Sequence, residues 1–160
     1  MVLRSKVARA CRDERGAALV EFALVLPLLL VLLLGMLEFG KAYNYWIDTT
    51  HLANQGARWA VVNRNPGAGT LQDYIQGQAN TVELRDGGTP SIPAGDEAEV
   101  CISFPLGSSN VGDPVRVTVS ATYHWLPFIG DRISSTEVTL SGSATMRLEA
   151  QPTNYGAGCS

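Results

Sequence analysis

The sequence predicts an α+β fold, a long N-terminal membrane and amphipathic helix packed on a small antiparallel β-sheet. Three observations predict it. Phe22 to Leu37 is an apolar run of 16 residues without a charge. Beyond it, Phe39, Tyr43, Trp46, Thr50, Ala53, Ala57 and Ala60 recur every three or four residues, the period of one helical face. In the last third Val115, Val117 and Val119 alternate with Arg116, Thr118 and Ser120, the period of a half-buried strand.

The chain of 160 residues has room for an anchor and one modest domain. Its first 16 residues carry Arg4, Lys6, Arg9, Arg12 and Arg15 against Asp13 and Glu14; the remainder carries seven basic and 13 acidic residues. A basic flank beside an apolar helix predicts a cytoplasmic N-terminus, with the acidic remainder outside. That balance argues against nucleic-acid binding, which needs a basic surface. Ala17 to Val20 extend the apolar run to about the ~20 residues that span a bilayer. A removable secretory signal is the alternative, but the run is long for one. Gly35 to Gly40 also offers no small-x-small cleavage site. The division is therefore a basic leader at 1–16, a transmembrane helix at 17–38, and a helix continuation with an extracytoplasmic head at 39–160.

A single helix is expected from about Ala17 to about Val62, kinked by Pro27, which removes one backbone hydrogen bond. Lys41, Asn44, Asp48, Asn54, Gln55 and Arg58 form its polar face, and Asn63 to Gly69 stops it. Aromatic residues early and alanines late on the apolar stripe predict a sheet lying close near Ala53 to Ala60. Tyr43, Trp46 and Trp59 are expected in the core. Leu71 to Asn80 reads as a short helix with apolar Leu71, Tyr74, Ile75 and Ala79; Thr70 is its N-cap and Asp73 completes a capping box. Asp86 to Asp96, rich in Gly and Pro, reads as a loop. Strands are expected at 99–104, 115–123 and 137–149, the last interrupted at Ser141-Gly142-Ser143 by a bulge. One face of this three-stranded sheet covers the helix and the other meets solvent. Gln151 to Ser160 reads as a tail.

Cys11 falls in the leader. Cys101 and Cys159 fall outside the cytoplasm, where disulfides persist. Two readings are open: a bridge closing a loop of almost sixty residues, or one buried thiol and one loose tail thiol. An exposed free thiol outside the cell is a liability, which favours the bridge.

Signals for catalysis are sparse. His51 and His124 are isolated, and neither His-x-x-x-His nor Cys-x-x-Cys occurs, so no metal or cofactor is expected. No nucleophile elbow is present. Gly107 to Gly112 lacks the lysine and following helix of a phosphate loop and reads as a hairpin connection, with Asp113-Pro114 setting its turn. Tyr123 to Gly130 either plugs one end of the core or docks another subunit. A non-enzyme is the expectation. Its rivals are an uncleaved, anchored extracytoplasmic binding protein and an anchored envelope hydrolase.

Glu21 stands apart, a lone carboxylate at the start of the apolar run. Either it snorkels to the membrane edge or it is there for a partner. Arg15-Gly16 followed by Ala17-Ala18-Leu19-Val20-Glu21-Phe22 resembles a prepilin processing site. Gly16 through Pro27, Glu38-Phe39-Gly40-Lys41, Asn54 through Ala60, Gly112 through Val119 and Ala144 through Glu149 resemble TadE-like proteins, the minor pilins or pseudopilins of tight-adherence pili. The resemblance implies a cut after Gly16 by a membrane prepilin peptidase, freeing the amine of Ala17. It makes Glu21 the assembly carboxylate, paired with a neighbouring subunit's new terminus. It implies other pilin subunits, assembly machinery and membrane lipid as partners. It also implies a place in the cytoplasmic membrane or the pilus, and a part in surface adhesion. Ala17 departs from the aromatic first residue usual in type IV pilins, which favours the tight-adherence branch. The chain is also far longer than the major pilin of such systems.

Overall fold

The computed structural model describes the backbone of residues 7–89, 92–93, 97–125 and 137–160, and side chains within 16–87, 97–125 and 137–160. The chain divides into two units, Met1–Gly40 and Lys41–Ser160. Helix α1 (Val7–Val61) supplies elements to both. It begins upstream of the expected start at Ala17. Ala8, Arg9, Ala10, Arg12, Glu14 and Arg15 are good helix formers, and Gly16 alone does not stop a helix. Pro27 lies inside it.

In the second unit, α1 is followed by α2 (Leu71–Gly77), α3 (Val82–Asp86), β1 (Gly88–Thr89), β2 (Ile92–Pro93), β3 (Glu99–Ser103), β4 (Pro114–His124), β5 (Glu137–Arg147) and β6 (Gly158–Cys159). Strands β1 and β2 pair with each other, and the main sheet is antiparallel in the order β5-β4-β3-β6. The sheet thus has four strands where three are expected, because the tail supplies β6. Helix α3 and the β1–β2 ladder replace part of the expected coil around Asp86 to Asp96.

Helix α1 ends in a Schellman motif. Arg64 N–H donates to Trp59 O at 2.9 Å and Asn63 N–H to Ala60 O at 3.1 Å, with Asn63 left-handed at φ 51°. The Asn63 Oδ1 then accepts from Thr153 N and Asn154 N, both at 2.9 Å. Tyr155 Oη donates to Ala60 O at 2.7 Å. These bonds, with Gln72 Nε2 donating to Gly156 O and Gly158 O, turn the expected tail into part of the head.

The core joins Leu52, Ala53, Ala57 and Ala60 of α1 to Leu71 and Ile75 of α2, Leu84 of α3, Val100 and Ile102 of β3, and Val115, Val117 and Val119 of β4. The alanine half of the expected stripe is buried. The aromatic half is not: Tyr43 and Trp46 are 52% and 48% exposed. Ala42, Tyr45 and Thr49, one position back, line the covered side instead. Trp59 is half-buried, edge-on to Tyr74 at 4.7 Å. Asp48, expected on the polar face, is 4% exposed. Its Oδ2 accepts from Asn80 N, Thr81 N and Thr81 Oγ1 at 2.9–3.1 Å, so it holds the chain entering α3.

Strand β5 runs without a bulge through Gly142, which pairs with Val119. Glycine is needed there for a different reason. A Cβ at 142 would sit 2.5 Å from Thr50 Cα and N, the backbone of α1. Thr49 and Thr50 turn their hydroxyls back onto Trp46 O at 3.0 and 2.8 Å, so no polar group is stranded at this contact.

The α2 capping box is present: Thr70 Oγ1 accepts from Asp73 N, and Asp73 Oδ2 from Thr70 N, both at 3.1 Å. Those Thr70 bonds hold the Asp73 carboxyl below its ordinary range. Between β3 and β4, Asp113 Oδ2 accepts from Ser108 Oγ and Asn110 N at 2.7 and 3.0 Å, which lowers its carboxyl likewise. That is the expected turn before Pro114. Of the Tyr123 to Gly130 run, residues 126–130 lie outside the described residues; Tyr123 packs edge-on to Tyr45 and Trp125.

Candidate processing and assembly segment

Gly16, Ala17, Glu21 and Pro27 all lie on α1, in the first unit. Four residues separate Ala17 from Glu21, a rise of roughly 6 Å and about one turn, so both fall on one helix face. The residues around Glu21 are open on every side: Leu19, Val20, Phe22 and Leu24 are 60–75% exposed. Among the described residues, Gly16–Val61 contains one helix long and apolar enough to cross a membrane. An apolar helix exposed all round requires a cover, and among the described residues none supplies it.

The glycines separate by cause. At Gly56 a Cβ would meet Ile75 Cδ1 at 2.6 Å, and at Gly142 the α1 backbone, so packing explains both. At Gly16 a Cβ would meet nothing within 4 Å. Packing among the described residues therefore gives no reason for glycine at 16.

In the head, Cys101 and Cys159 form a disulfide, as expected. Val100 and Ser160 exchange both backbone bonds, at 3.1 and 3.2 Å. Cys101 and Cys159 are therefore the adjacent non-hydrogen-bonded pair, with Cα atoms 4.0 Å apart and side chains on one face. Pairing β6 with β3 is what brings them together. Glu99 lies beside them, but both sulfurs are committed to each other and offer no thiolate to a metal.

The isolated histidines stay isolated from one another. His51 lines a shallow hollow of about 220 Å³ with Asn44, Ile47, Asp48 and Asn80. His124 Nδ1 lies 3.6 Å from Glu137 Oε1 across the β4–β5 ladder. A second hollow of about 460 Å³ lies among Leu106, Asp113, Pro114, Met146 and Arg147.

Sequence reasoning missed what Asp48, the Asn63 side chain and Gly142 do. Asp48 had no signal beyond polarity and Asn63 was legible only as part of the helix stop, because their side-chain partners lie 32 to 91 positions away. Gly142 did carry one, a glycine flanked by serines within a strand.

A family model described as TadE-like protein matches residues 16–58. No curated protein and no solved structure matches the chain. The matched stretch begins at Gly16 and contains Glu21, Pro27 and the whole apolar run. Over residues 16–58, roughly a quarter of the chain, the sequence is similar to TadE-like proteins, and the matched segment holds the carboxylate and the apolar helix.

Proposed function

We propose that this chain is a minor pilin or pseudopilin of a tight-adherence pilus, processed after Gly16 by a membrane prepilin peptidase. The observation that carries the reading is the TadE-like match, whose first residue is Gly16. In this reading the leader stays on the cytoplasmic side of the inner membrane, the apolar part of α1 spans it, and the head lies outside. Cleavage breaks the Gly16–Ala17 peptide bond by addition of water and leaves an ammonium on Ala17. When apolar helices bundle, that ammonium pairs with Glu21 of a neighbouring subunit. In a low-dielectric setting such a pair sets register more than it adds stability. The absence of any packing demand for glycine at 16 supports a role in recognition by the peptidase. The exposed apolar helix supports a partner that is first lipid and then other pilin subunits and assembly machinery. Surface adhesion follows from membership in the fibre. The chain is a substrate of the peptidase and not itself an enzyme.

One observation favours a second reading. Helix α1 runs unbroken through Gly16, and a peptidase must unwind that turn to reach the bond. An uncleaved, single-pass anchored binding protein would keep the helix intact.

The test is Glu21→Ala. The variant is expected to be processed like wild type but largely lost from sheared pili, measured by immunoblot of fibre and membrane fractions. Wild-type incorporation of Glu21→Ala into fibres would contradict the pairing.

A further inference from the structure

We propose that the outer edge of β5 is a self-pairing surface, and that its partner is the β5 edge of a second copy of this chain. Among the described residues, strand β5 lies at one end of the main sheet. Its hydrogen-bond phase follows from two independent places. Val100 exchanges both bonds with Ser160, so Cys101 and Ser103 face β4, and Val115, Val117 and Val119 face β5. At the other end Leu148 N–H donates to Asp113 O at 2.8 Å. Both place the bonds to β4 on Leu140, Gly142, Ala144 and Met146. Thr139, Ser141, Ser143 and Thr145, with Glu137 and Arg147, therefore turn their N–H and C=O groups outward. The side chains of these residues are all exposed.

An eleven-residue edge of this kind is ordinarily protected by a lysine, a proline or a bulge. Strand β5 contains none of them. Its sequence is instead self-complementary about Gly142. Laid antiparallel on a second copy, with a two-fold axis at Gly142, Glu137 meets the partner's Arg147. Val138 meets the partner's Met146, Thr139 the partner's Thr145, Leu140 the partner's Ala144 and Ser141 the partner's Ser143. Opposite charges face each other at both ends, and like pairs with like between them. The phase agrees as well, since every residue with outward backbone groups meets another such residue. Sliding the register by two residues keeps that phase but leaves Arg147 without a facing carboxylate. Among the described residues, Glu137 and Arg147 have light commitments at home, Arg147 also attracting the Asp113 carboxylate. Glu137 lies 3.6 Å from His124, with its side chain 52% exposed, and Arg147 Nη1 donates to Gly112 O at 3.2 Å.

The axis stands normal to the sheet. The two four-stranded sheets become one of eight strands, with the two copies of the 41–61 part of α1 on the same side and antiparallel.

The test uses the full chain in detergent, with mass measured by sedimentation. Wild type is expected to dimerise. Glu137→Arg and Arg147→Glu each place two like-charged pairs at the contact, and each is expected to weaken dimerisation about tenfold or more. Mixing the two variants one to one is expected to restore the dimer, because every new arginine then faces a carboxylate. Ser141→Pro, which removes an outward N–H and no bond to β4, is expected to abolish pairing while the Cys101–Cys159 bridge still forms. A monomeric wild type, single variants that pair as well as wild type, or a mixture that stays monomeric would each overturn the proposal. Processing at Gly16 is read separately, from the mature N-terminus, and does not depend on this contact.

Discussion

At Gly142 the strand backbone lies so close to the backbone of α1 that an added Cβ would sit 2.5 Å from Thr50 Cα and N. Gly142→Ala is expected to force these layers apart and to lower head stability by about 2 kcal/mol, the usual cost of overpacking a rigid site. Gly16→Ala, which meets open space, is expected to leave thermal unfolding of the head unchanged. A comparison of melting curves for the two variants checks both. A wild-type melting temperature for Gly142→Ala would remove the close contact from this account. Sequence made the glycine visible but not its cause, since a bulge and a crossing helix both call for a missing side chain.

At the scale of elements, two anchors were legible and their complements were not. The alanines at 53, 57 and 60 announced a close layer and are buried. Tyr43 and Trp46 share that stripe yet face outward, because the sheet covers the side of α1 marked by Ala42, Tyr45 and Thr49. Hydrophobicity marks what can be covered, and only the position of the sheet decides which flank is. The Thr70–Asp73 capping box and the Val115–Val119 alternation are local, and both read correctly. Strand β6 has two residues and no alternation of its own; it exists because Cys159 and Gln72 hold it. The bridge spans 58 positions, and loop closure of that length stabilises by roughly 4 kcal/mol. Reduction is therefore expected to lower the melting temperature and detach β6. Non-reducing mass analysis is expected to recover the Cys101 and Cys159 peptides as one linked species; free thiols at both would contradict this.

Across the whole molecule, burial and charge set the response to pH. Burial pushes the Tyr155 phenol up to about 12, and its proton serves Ala60 O. The raised value belongs to the folded state, so the unfolded chain releases the proton first, near the ordinary value of 10.0. Stability from this group is complete below about 10 and is lost as pH rises toward about 12. Denaturant midpoints at pH 8 and pH 11 are expected to differ, with a smaller difference in Tyr155→Phe. The charge division between the first 16 residues and the remainder is the other whole-chain property, and processing would remove its basic part.

The most direct measurement is the N-terminus of the chain purified from its native membrane or fibres, read by intact-mass and peptide mass spectrometry. The expected first residue is Ala17. A chain that still begins at Met1 in cells that assemble normal fibres would contradict the account.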